Sequence, residues 1–201
     1  MEVMFFITVL GGIILTVGYL PQIFKLYQTG NTDGISLLFW YFIFSAVSIT
    51  AINLILTAAP VILIVIQLSN ALLAAVVVGM VYYYKDQFKF VVMVGFLTFV
   101  LTVLVVSLPI EVTQTTSTVL IVAAYVIQLI TLIKAESVQG VSAWLFLLIA
   151  LGLGIMATKM FITEVSIHII ITEIVNISLL IACAAITFYF QHREINKLEI
   201  N

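Results

Sequence analysis

The sequence predicts an all-α membrane protein of seven transmembrane helices, built as two parallel three-helix repeats joined by one linking helix. Three observations carry that prediction. Hydrophobic residues make up 64% of the 201 and charged residues 8%, with a mean hydropathy of +1.34. Soluble domains carry about 25% charged residues, so most of this surface must face lipid. Apolar stretches long enough to cross a bilayer, about 20 residues each, recur along the whole chain. The chain also repeats itself at a fixed shift of 106 residues. Tyr19–Ser36 lies on Tyr125–Ser142 without a gap, with Tyr19/Tyr125, Gln22/Gln128, Leu26/Leu132, Gly34/Gly140 and Ser36/Ser142 identical. The same shift carries Thr57 onto Thr163, Asn70 onto Asn176 and Tyr83 onto Tyr189.

The spans fall at 3–27, 36–57, 60–84, 90–109, 116–134, 142–163 and 166–190. The first lacks a basic leader and a small-residue cleavage site, so it is expected to be a retained helix. Gly30-Asn31-Thr32-Asp33-Gly34 is a turn cluster, Ala59-Pro60 a tight reversal and Lys85-Asp86-Gln87 a charged loop. Pro109 opens a polar connection through Thr118, and Ala135 to Gly140 is the second copy of the first turn. Three spans per copy would invert the second repeat, and one extra helix restores its direction. Residues 1–86 then form the first repeat, 87–113 the linking helix, 114–191 the second repeat and 192–201 a cytoplasmic tail.

Lys25, Lys85, Lys89, Lys134, Arg193 and Lys197, six of the seven basic residues, fall on one side. By the positive-inside rule that side is cytoplasmic, which puts the N-terminus outside and makes a multi-pass protein of the cell membrane. The exception is Lys159, inside the sixth span. Cys183 is alone, which excludes a disulfide framework or a cysteine metal site. His168 and His192 fall on opposite membrane faces, so no metal cluster is expected, and no cofactor. No nucleophile–base pair or phosphate-binding glycine loop argues for an enzyme, and no basic cluster argues for nucleic acid.

Pro21-Gln22 near the inner end of the first helix, followed by Gly34-Ile35-Ser36, resembles the PQ-loop signature. The second copy has Gln128 and Gly140-Val141-Ser142, with Ile127 where proline is expected. With its 3+1+3 plan the chain is similar to SWEET and PQ-loop transporters over nearly its whole length. The resemblance implies alternating-access transport of a small polar solute. The superfamily includes sugar facilitators and proton-coupled amino-acid exporters, so it does not choose the cargo.

Asn70 and Asn176 each fall about ten residues into a helix, near the bilayer midplane at 1.5 Å per residue. An amide there offers donors and acceptors to a solute, and the two positions match the family's paired substrate-binding asparagines. The alternative is that they bond helix to helix. A second polar layer lies further out, where Asn53 maps onto Lys159 and Gln67 onto Glu173. Lys159 and Glu173 are expected at similar depth, either as an ion pair or with Lys159 snorkelling and Glu173 in a water-filled vestibule. Pro21 removes a backbone hydrogen bond and bends the helix, as a hinge or as plain structure. Gln22, Gln128, Tyr19 and Tyr125 join it as gating candidates. Tyr82, Tyr83, Tyr84, Trp40, Tyr41 and Trp144 are expected to form an interfacial aromatic belt. The expected partners are the bilayer and a small polar solute: a sugar first, because amides match hydroxyls, or an amino acid held by Lys159 and Glu173. A non-transporting receptor on the same fold, and a homo-oligomer, are left open.

Overall fold

The computed structural model describes residues 2–85, 95–96, 98, 100, 102–103, 107–163 and 167–200, without the side chains of 168, 169 and 195–200. Among the described residues the regular structure is helical: α1 Glu2–Val17, α2 Leu20–Thr29, α3 Leu37–Leu56, α4 Val61–Tyr84, α5 Ile110–Lys134, α6 Ala143–Ile162 and α7 Ile167–Ile200. Six segments are long and apolar enough to cross a membrane, with α1 and α2 together making the first, Glu2–Thr29. The fourth expected span, 90–109, lies mainly outside the described residues, of which 95, 96, 98, 100, 102 and 103 are helical. α7 continues past Gln191 to Ile200, so the segment expected as a tail prolongs the last helix.

The break between α1 and α2 follows from Pro21, which occupies the first turn of α2. Proline has no N–H to return to the carbonyl four residues back, and its ring clashes there. At the break some bonds shorten to three residues, such as Tyr19 N–H to the Thr16 carbonyl at 3.3 Å and Gln22 N–H to the Tyr19 carbonyl at 3.2 Å. α5 carries Ile127 at the equivalent place and runs unbroken for 25 residues. The bend expected at Pro21 is therefore a full interruption.

The two halves interlock. α1 packs most extensively on α6, and α3 on α5, so the first helix of each half lies against the second helix of the other. Small residues allow both crossings. A Cβ on Gly152 of α6 would stand 2.7 Å from the Leu15 side chain, and one on Gly11 of α1 3.3 Å from the Gly152 carbonyl. The repeat-related pair is Ser117 and Ala46, where the Ser117 hydroxyl donates to the Ala46 carbonyl at 3.0 Å. The helix ends match as well. Thr57 closes α3 by donating its N–H and hydroxyl to the Asn53 carbonyl at 3.0 and 2.8 Å. Thr163 closes α6 on the Lys159 carbonyl, both bonds at 3.0 Å.

The aromatic belt needs a correction. Tyr83 and Trp144 are exposed, as an interface requires, but Trp40 and Tyr82 are almost fully buried. Trp40 lies edge-on to Phe39, ring centroids 5.0 Å apart, and 6.1 Å from Tyr19. Phe39 in turn meets Tyr125 and Phe146. These five rings form an interior plug (Trp40 and Phe146 are repeat mates) rather than a lipid-facing ring.

Candidate functional site: a crossed glutamine clasp and a layer of buried amides

Ser36 and Ser142 begin α3 and α6, and each is preceded by a loop with a repeated glycine. Gly34 adopts φ +77°, a left-handed conformation that costs other residues energy. Gly140 is required for a different reason: a Cβ there would stand 2.7 Å from the Asn31 carbonyl oxygen and the Asp33 nitrogen. The loops touch each other, and the Gly140 N–H donates to the Asp33 carbonyl at 3.1 Å.

Each loop is held by the glutamine of the opposite repeat. Gln22 Nε2 donates to the Gly140 carbonyl at 2.8 Å, and its Oε1 accepts the Ser142 N–H at 2.8 Å. Gln128 Nε2 donates to the Gly34 carbonyl at 2.8 Å, and its Oε1 accepts the Ser36 N–H at 3.1 Å. Both glutamines are 1% exposed. A primary amide is the smallest side chain that serves a C=O and an N–H two residues apart at once. A second tier repeats the pattern: Lys85 Nζ donates to the Ile35 carbonyl at 2.9 Å and Gln191 Nε2 to the Val141 carbonyl at 2.8 Å. Lys85 and Gln191 are 106 residues apart, as are Ile35 and Val141. Burial lowers the Lys85 ammonium's pKa, and Asp33 acts in the opposite direction.

The second loop carries extra ties. Lys25 Nζ also donates to the Val141 carbonyl at 2.7 Å, and Glu194 Oε1 accepts the Val138 N–H at 3.2 Å. Tyr19 and Tyr125, both buried, stand in electrostatic reach of each other within the aromatic plug. Sequence alone paired the glutamines, but it missed that each crosses to the other loop. It also missed Lys85 and Gln191, whose shared shift is visible in the sequence but whose different side chains hide it.

Further along the helices lie the expected solute-contact residues. Asn70 on α4 and Asn176 on α7 are both buried. Thr16 Oγ stands 2.8 Å from Asn70 Oδ1 and 2.9 Å from the Gly12 carbonyl, its one proton shared between the two acceptors. Asn176 lacks that service: its Oδ1 is buried without a hydrogen-bond partner. The residue in the Thr16 position of the second repeat is Val122. Glu173, three residues earlier on the same helical face, likewise has its Oε2 buried and unpartnered.

The outer candidates separate. Asn53 Oδ1 accepts the Thr113 hydroxyl at 3.0 Å between α3 and α5. Gln67 Nε2 donates to the Val47 carbonyl at 3.2 Å, from α4 to α3. Lys159 and Glu173 do not form the expected ion pair. Among the described residues no group of His, Cys, Asp and Glu could hold a metal ion. Cys183 packs in the core, its thiol 3.9 Å from the Tyr125 carbonyl.

Apolar helices crossing in interlocked halves define a multi-pass helical membrane protein. The family model of the PQ loop repeat matches residues 3–63, from α1 to the start of α4. PQ-loop domains are found in membrane transporters and receptors. No curated protein and no solved structure matches the chain significantly.

Proposed function

We propose that the chain is a transporter that moves a small polar solute by alternating access between its two repeats, with seven spans in a 3+1+3 order. The observation that carries this reading is the crossed clasp. Each repeat holds the other's loop through a glutamine, so the bonds that close this end are also the bonds that separate when the halves rock apart. The aromatic plug beneath it excludes water while the clasp is shut. In this reading the clasp end is cytoplasmic, the N-terminus lies outside, and the membrane is the cell membrane. The solute sits between the halves at the level of Asn70 and Asn176, with Gln67 and Glu173 nearby. A sugar suits the amides. An amino acid is the second candidate, favoured by the buried carboxylate of Glu173 beside Asn176.

Counterflow uptake of labelled sugars and amino acids into proteoliposomes tests the proposal. The expected result is saturable exchange of one class. Binding without flux across both classes would make the protein a receptor on the same fold.

A further inference from the structure

The two midplane asparagines occupy equivalent positions and are chemically unequal. Asn70 is served by the Thr16 hydroxyl. Asn176, 3% exposed, has no partner on its oxygen. One turn of α7 therefore holds two buried oxygens that lack donors, Asn176 Oδ1 and Glu173 Oε2. An acceptor buried without a donor costs about 1–3 kcal/mol, more when it is charged. Val122, at the Thr16 position of the second repeat, has no hydroxyl to offer.

We propose that Glu173 and Asn176 form an ammonium-accepting half-site, so that the solute carries a primary ammonium group and docks first on the second repeat. An ammonium presents three N–H donors and a positive charge, and it answers both empty oxygens and the carboxylate at once. A neutral hydroxyl brings one donor and leaves the charge unpaired. Asn70, already engaged by Thr16, serves the rest of the solute. The inference deepens the transport reading and names the chemistry that the site selects.

The test uses the full chain, purified in detergent and reconstituted in proteoliposomes. Three pairs of probes differ only in ammonium against hydroxyl: glucosamine and glucose, ethanolamine and ethylene glycol, alanine and lactate. For at least one pair the amine is expected to bind at least about tenfold more tightly by titration calorimetry, the scale of one charge-assisted hydrogen bond. Val122→Thr supplies Asn176 with an internal donor, and Glu173→Gln removes the charge while adding an NH2. Glu173→Gln should abolish the preference and Val122→Thr should weaken it. If Val122→Thr does not fold, Glu173→Gln alone decides. Amines that bind no better than their partners in every pair, or a preference that survives the variants, overturn the half-site. Flux without ammonium preference leaves transport standing and removes this inference. Ammonium preference without flux does the reverse.

Discussion

Pro21 and Ile127 stand 106 residues apart at equivalent points of the two repeats, and the helix is broken at the first and continuous through the second. The interruption falls two residues before Gln22's own clasp contacts begin to matter, between the aromatic plug and the cross-repeat bonds. Such a joint lets the inner segment α2 turn without moving α1. Pro21→Ala permits an unbroken helix, so turnover is expected to slow severalfold while solute affinity changes little, as gating changes do. Counterflow rate and calorimetric Kd on the same preparation check this, and an unchanged rate would make the break purely structural.

The glutamine clasp should be strongly cooperative. Gln22→Ala leaves the Gly140 carbonyl and the Ser142 N–H in a buried place without partners, at about 1–3 kcal/mol each. Opening the loops to water relieves that cost. The variant is therefore expected to populate an open clasp, and Gln128→Ala likewise through Gly34 and Ser36. Spin labels on cysteines replacing exposed Asp33 and Gln139, themselves repeat mates, report the distance by double electron–electron resonance. A distance distribution identical to wild type in both variants would show that the clasp does not set the state.

Gly140 gives a sharper version of the same test. Alanine there would press its Cβ onto backbone atoms of Asn31 and Asp33, which a flexible side chain cannot relieve. Gly140→Ala is expected to hold the clasp open and lower the unfolding temperature by several degrees. Gly79→Ala is the control, since nothing lies within 4 Å of its added Cβ. In a helix interior that change gains about 0.5–1 kcal/mol. Matched behaviour of the two variants in thermal unfolding and in the labelled distance would remove the role given to Gly140.

Much of this was legible in the sequence because the repeat is written in identities. Gln22/Gln128, Gly34/Gly140, Thr57/Thr163 and Asn70/Asn176 each keep the same residue; the first three pairs do related work and the asparagines are both buried. What escaped is what periodicity does not encode. Trp40 at a helix end has the composition of an interfacial residue, and only the packing of Phe39 and Tyr19 around it shows it to be interior. Lys85 and Gln191 perform one task with different side chains, so identity misses them. The Asn176 vacancy is visible as Val122 against Thr16, but only once Thr16 is seen to reach Asn70.

The pairing of Thr16 with Asn70 predicts a measurable coupling. Thr16→Val recreates in the first repeat the arrangement that Val122 gives the second, leaving Asn70 Oδ1 without its donor. In a double-mutant cycle with Asn70→Ala, the interaction energy is expected to be about 1 kcal/mol, since contacting residues couple by about 0.5–3 kcal/mol. Chemical unfolding in micelles reads it. A coupling near zero would mean that Asn70 is held by packing alone.

Lys159 and Glu173 supply the opposite case. Their similar depth suggested an ion pair, whose partners would couple strongly, because removing one leaves the other buried and uncompensated, at about 3–5 kcal/mol. In the structure Lys159 forms no ion pair with Glu173. Lys159→Asn and Glu173→Gln should therefore act independently, with the double variant matching the sum of the single effects within about 0.3–0.5 kcal/mol. The two changes should also separate in function. Glu173→Gln is expected to lose solute binding, while Lys159→Asn keeps it and changes stability alone. Coupling of several kcal/mol in the unfolding cycle would restore the ion pair. It would move the charged centre of the site from α7 to the space between α6 and α7.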